Sequence, residues 1–156
     1  MSLTPQAIPG MRARLHMPEE ILSLPVSGNT VLSDGDVVVQ STDGKTVLAV
    51  AGATNTKFGV VVFQHIGKSA KNTKGLEAYQ AKDCAPIMQI GSVWVKPTAP
   101  VTDINAKVYV RTANATVDAP LGSLSSAALD STELPNASWE TITGADGMAI
   151  LRLRGA

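Results

Sequence analysis

The sequence predicts an all-β protein: a small β-barrel or jelly-roll-like sandwich with an extended N-terminal arm. Between Asp34 and Arg111, short β-branched runs alternate with clusters of Gly, Asp, Asn and Pro. That is the pattern of strands joined by tight turns. No stretch of this region sustains a helical period. Thirteen Gly and nine Pro in 156 residues fit an architecture with many turns.

The arm comes first. Pro5, Pro9, Pro18 and Pro25 recur too often for a long helix, because each removes a donor and disfavours helix before it. Pro18 to Leu22 has room for one helical turn. The remainder of residues 1–30 reads as extended chain with spaced apolar anchors: Ile8, Leu15, Ile21 and Leu24. Such anchors cannot fold on themselves, so they are expected to lie on a partner, and the segment to be dispensable for folding the body.

The body is expected over residues 31–156. Val37–Val39, Thr46–Val50 and Phe58–Phe63 read as three strands, with Asp43-Gly44 as a hairpin turn. Gly67 to Ala85 is a long connection carrying Lys68, Lys71 and Lys74, with a short strand near Leu76–Gln80. Long ordered loops in small domains are often contact sites, so these lysines join the arm's anchors as candidate partner-binding residues. Ile87–Val95 is apolar on both alternating faces and so reads as a central strand, stopped by Lys96-Pro97. Lys107–Arg111 and Ala115–Asp118 are expected to form a hairpin across Thr112-Ala113-Asn114, and residues 119–137 a polar loop. Trp139–Thr143 and Ala149–Leu153 read as a closing pair. Val37, Val39, Leu48, Val50, Val60, Val62, Ile90, Val93, Val108, Val110, Ile150 and Leu151 are expected mainly in the core or an interface.

Composition narrows the function classes. The formal net charge is zero, but its distribution is uneven. Residues 41–100 hold seven lysines against three carboxylates, whereas residues 1–40 and 101–156 are each acidic in balance. The lysines are not interleaved with aromatics as in single-strand nucleic-acid grooves, so no nucleic acid is expected as a partner. No apolar run approaches the ~18–20 residues of a membrane span, and the first residues lack a basic start and apolar run, so no membrane is expected either. Cys84 is the one cysteine, which reads as a small buried hydrophobe. Aromatics are only 4% of residues. A core of mostly Ala and Val is thin, and this favours a homo-oligomer, a dimer before a trimer.

No catalytic, cofactor or metal site emerges. Gly67-Lys68-Ser69 lacks the glycine five residues earlier that a phosphate loop requires, since position 62 is Val. Asp34-Gly35-Asp36 is not followed by the further ligands of a calcium loop. One Cys and two separated His make no zinc site. Trp94 and Trp139 as a sugar-stacking platform would make the chain a β-sandwich carbohydrate-binding module, which stands as an alternative.

Three segments carry a resemblance. These are the Gly and Val runs of residues 34–63, Gly91–Lys96 with Lys107–Val110, and the ending from Pro135-Asn136-Ala137-Ser138-Trp139 to Met148–Leu153. In this ordering the chain resembles the capsid cement (decoration) proteins of tailed bacteriophages, over about residues 30–155. The resemblance implies a structural virion protein, made in the bacterial cytoplasm, on the outer surface of the expanded shell. Its partner would be the major capsid protein, bound across subunit junctions, with no catalysis and no cofactor. A phage tail or head-completion protein is the neighbouring alternative.

Overall fold

In the computed structural model, residues 7–14, 18–29, 31–50 and 57–155 are described. Among them there is no helix. The strands are β1 (Glu20–Pro25), β2 (Val37–Gln40), β3 (Val47–Ala49), β4 (Phe58–Val61), β5 (Ala70–Lys71), β6 (Glu77–Ala78), β7 (Cys84–Val95), β8 (Tyr109–Arg111), β9 (Leu124–Ser125), β10 (Ser131–Glu133), β11 (Ala137–Trp139) and β12 (Ala149–Arg154). A seven-stranded sheet runs β11-β12-β7-β4-β2-β3, with β1 also paired to β7. A three-stranded sheet, β10-β8-β9, and the β5-β6 hairpin complete the barrel-like fold.

The valine runs are buried because both faces of the large sheet are covered. Val37, Val39, Val60 and Val62 enter one core with Val110 and Leu124 of the smaller sheet and Val108 just before its strand β8. Val38 and Val61, pointing the other way, enter a second core with Leu32, Tyr79 and Ala85. A strand covered on both sides loses the polar alternation of a half-exposed one.

The long strand β7 changes face partway along. Ile21 lies opposite Met88 and Glu20 opposite Ile90, so Gln89 is an extra residue without a partner on β1. A bulge of this kind reverses which side chains point inward. Ile87 accordingly packs in the second core, whereas Met88, Val93 and Val95 share the first. Strict alternation through Ile87–Val95 would put Ile87, Val93 and Val95 on one face, and the bulge breaks it. Of the residues expected in the core or an interface, Leu48 and Ile90 are half-buried, Leu48 packed against the first core.

The N-terminal segment departs most from expectation. Pro18 to Leu22 forms no helical turn; residues 20–25 pair with β7 from Glu20↔Ile90 to Pro25↔Cys84. Gly10 donates its N–H to the Trp94 carbonyl at 2.7 Å and accepts from Phe63 N–H at 2.9 Å. The described part of residues 1–30 is therefore laid into the body instead of extending from it as an arm. Intermittent apolar residues read as an arm because their pairing strand lies some sixty residues away in the chain.

Other differences are local. Ala115–Asp118 does not pair with β8, whose neighbours are β9 and β10 from the region expected to be a loop. The closing pair forms, with Trp139 opposite Leu151, although its first strand ends at Trp139. Cys84 is exposed at the start of β7, not buried.

Candidate interaction surface

The turn at Ser33–Asp36 is where the N-terminal segment and the lysine-bearing loop meet. Asp36 Oδ2 accepts the Ser33 N–H at 2.8 Å, closing the turn. Gly35 sits at φ +84°, and a Cβ there would lie 2.8 Å from Pro9 Cβ, so the segment can only lie this close over glycine. From the loop side, Asn72 Nδ2 donates to Ser33 Oγ at 2.9 Å.

Lys68 reaches into this junction. Its ammonium lies 2.7 Å from Asp34 Oδ2 and donates to the Gln64 carbonyl at 2.6 Å. It also stands over the rings of Phe63 and Tyr79, at 5.0 and 5.6 Å from their centroids. Burial raises the Asp34 pKa above the usual carboxylate range, against the pull of the Lys68 hydrogen bond and charge. Burial pushes Asp36 up to about 7, with the neighbouring Asp34 charge adding to the rise and the Ser33 N–H and Lys74 opposing it. Tyr79 is pushed up to about 12, first by burial and then by the charges of Asp34 and Asp83. Chemically the cluster is an internal tie that fastens the loop to the body.

The candidate contact residues divide accordingly. Ile8 and Ile21 are exposed, at 41% and 37%. Lys71 and Lys74 are exposed on the β5-β6 hairpin. Leu24 packs against the second core. Lys68 has a side chain only 5% exposed, turned into this junction. Leu15 lies outside the described residues. The turn brings the Ile8 segment near the Lys68–Lys74 loop, whereas Ile21 and Leu24 sit on β1.

Other surface features were not foreseen. Ile104 and Ile142 are exposed on loops joined by Thr143 Oγ1, which accepts Val101 N–H at 2.6 Å. Val117 and Leu129 project from loops tied together through Asp130, which accepts from Asn114 Nδ2 at 3.0 Å. A cleft of about 180 Å³ opens between Pro18, Ile90, Gly91, Ser92, Arg152 and Arg154. Beside it Glu140 gathers Arg14 at 2.6 Å, Ser92 Oγ at 2.8 Å and Arg152 at 3.7 Å. The two short Arg-x-Arg alternations, at 12–14 and 152–154, were visible in the sequence. Their convergence was not, because it depends on the pairing around β7.

Neither tryptophan offers an open sugar platform. Trp139 is 3% exposed in the first core, and Trp94 is half-buried with its backbone engaged by Gly10 and Met11. Among the described residues no group of three or more His, Cys, Asp or Glu is placed to hold a metal ion.

The described residues thus form a double-cored β scaffold whose buried charges tie loops to sheets, with aliphatic and charged side chains left at its surface. The chain belongs to the phage structural cement proteins: the family model described as "Structural cement protein (E217 gp24/Pam3 gp6)" matches residues 1–154. Among solved structures, a chain of "The capsid of Myoviridae Phage XM1" superposes with a TM-score of 0.71. The match covers 99% of this chain and 94% of that one at 15% identity, which is a likeness of fold. No curated protein matches the chain. Its role is thus that of a capsid-associated structural cement in the phage virion.

Proposed function

We propose that this cement protein binds the outside of the expanded shell and bridges major capsid subunits across their junctions, without catalysis and without a cofactor. The observation that carries this reading is the family match over residues 1–154. The physical logic is avidity: modest contacts repeated at symmetry-related sites sum to strong attachment of a shell pushed outward by packaged DNA. Ile8, Ile21, Lys71 and Lys74, all exposed, are proposed as contacts with neighbouring subunits. Lys68 and Leu24 are left out, since their side chains are engaged within the chain. A homo-oligomer, a dimer before a trimer, fits the large aliphatic side chains left exposed, among them Ile66, Leu76 and Leu129.

The test is to mix purified protein with expanded and unexpanded shells of its phage and to image both. Decoration of the expanded shells alone is expected. Equal decoration of both, or of neither, would overturn the reading. Sedimentation equilibrium tests the oligomer separately, and a monomer throughout the micromolar range would remove that part.

A further inference from the structure

We infer that the cleft beside β12 is a receptor for an acidic segment of the major capsid protein, gripped by Arg152 and Arg154. This rests on the capsid-binding reading above and names one of the surfaces that would carry it.

The chain has five arginines, and four of them belong to this one place. Arg152 and Arg154 line the cleft directly, two residues apart on β12. Such residues share a face of the strand, and the intervening Leu153 enters the first core. Arg14 is held there through Glu140, which also accepts from the cleft residue Ser92. Arg12 pairs at 3.0 Å with Glu19, whose Cγ lies 3.2 Å from where a Cβ on Gly91 would stand.

The charge does not cancel. Four guanidinium groups stand with three carboxylates, Glu19, Glu140 and Glu20, the last opposite Ile90 on β1, so one positive charge remains in a chain whose formal net charge is zero. Arg14 and Arg12 are satisfied by close pairs, whereas Arg152 reaches Glu140 only at 3.7 Å. Among the described residues Arg154 has no carboxylate partner. Glu140 is in turn fixed as an anion. Burial would raise its pKa, but the Arg14 and Ser92 hydrogen bonds and the two arginine charges bring it below the usual value. The local network therefore holds Arg14 in place and leaves Arg152 and Arg154 as the forks available to an incoming anion. Arginine, planar and always charged, is suited to a carboxylate in this way.

Shape favours a peptide over a nucleic acid. At about 180 Å³ the cleft has room for one or two side chains, not for a strand running through it. No aromatic residue lines it, so there is no surface on which bases would stack. Pro18 and Ile90 supply apolar walls. An Asp or Glu flanked by small residues meets these requirements.

The experiment measures occupancy of expanded shells lacking their own cement, using the full chain as wild type, R154E, R154Q and K45E. Lys45 is exposed in the β2-β3 turn, so K45E matches the charge change of R154E at a distant site. Melting curves accompany each variant, and R154Q carries the test if R154E melts early. R154E is expected to weaken decoration about tenfold or more and R154Q by a smaller factor, with K45E unchanged. Wild-type decoration should also fall as salt rises. If wild type decorates and R154E decorates equally well, the cleft is not the receptor, while the capsid-binding reading survives. If wild type fails to decorate, both fall. Tight, Arg154-dependent binding of a fluorescent single-stranded oligonucleotide, with decoration insensitive to R154E, would assign the cleft to nucleic acid instead.

Discussion

Lys68 and Asp34, thirty-four residues apart in the chain, meet Nζ to Oδ2 at 2.7 Å beneath the surface. Their side chains are only 5% and 15% exposed, and Asp34 Oδ1 is buried without a donor among the described residues. The pair is half of a junction, since the same turn also supports Pro9 and Gly10.

Breaking one side of this pair is the first test. Lys68→Met keeps the apolar stem but leaves Asp34 with both oxygens unpaired, at a cost of about 3 kcal/mol. Asp34→Asn combined with Lys68→Met removes the stranded charge and is expected to recover part of the loss. Urea unfolding of the two single variants and the double variant gives the coupling directly. A cycle with no coupling would mean that the contact adds nothing.

Asp36 makes stability depend on pH in the direction opposite to most carboxylates. Its folded pKa is about 7 against an ordinary value of 3.8, so the folded state holds the proton that the unfolded state releases. This contribution is intact below about pH 4 and is lost as pH rises through the folded value near 7. The full loss is roughly 4 kcal/mol as an upper bound. Asp36→Asn keeps an oxygen for the Ser33 N–H but cannot ionise. It should therefore exceed wild type in stability at pH 8 and lose that advantage at pH 4. Denaturant titrations at the two pH values check the sign, and a variant equally destabilised at both would refute it.

What could be read in the sequence follows from how local each cause is. The Val37–Val39 and Phe58–Phe63 runs declared buried strands because β-branched residues flanked by Gly and Asp have few other uses. The Asp43-Gly44 turn was equally local, with Gly44 at φ +72° and Asp43 Oδ1 accepting the Lys45 N–H. The bulge at Gln89 was not legible, because only the pairing with β1 reveals an extra residue. The burial of Lys68 was hidden for the same reason. A lysine in a polar loop looks solvated until Asp34, Phe63 and Tyr79 are folded around it. The cleft depended on Arg14 meeting Glu140 from 126 residues away.

Gly10 should tolerate no side chain. It has φ +84°, and a Cβ would lie 2.7 Å from the Val61 carbonyl oxygen and 2.8 Å from Phe63 N. Both obstacles are backbone, so neither can swing aside. Gly10→Ala is expected to cost about 3 kcal/mol or more, combining left-handed strain with displacement of the hydrogen bonds to Trp94 and Phe63. Gly28→Ala is the control. That residue also has positive φ, at +87°, but nothing lies within 4 Å, so only the backbone term of about 1 kcal/mol should appear. Equal melting temperatures for the two variants would show that the contact around Gly10 is slack.

Deleting residues 1–27 provides the last test, because sequence and structure disagree about its outcome. Proline-spaced anchors alone suggest that the body would keep its melting temperature. The structure places β1 along β7 over six residues and puts Val26 in the second core at 3% exposure. Leu24 packs on that core, Val26 N–H donates to the Asp83 carbonyl at 2.8 Å, and Lys82 N–H donates to the Val26 carbonyl at 2.9 Å. Removing the segment strips one partner from the first half of β7 and releases the loop that ends at Asp83. Val26 alone contributes about 1.5–3 kcal/mol by burial, before Leu24 and the lost hydrogen bonds are counted. Against a total stability of about 5–15 kcal/mol, the loss is a large fraction. At roughly 2–4 °C per kcal/mol for a domain of this size, the melting temperature should drop by about 10 °C or more, or the cooperative transition should vanish. Leu24→Ala in the full chain should produce a smaller fall in the same direction. Calorimetry of the truncated chain decides the matter: a transition within a degree or two of the full-length protein would mean that the first twenty-seven residues rest on the body without supporting it.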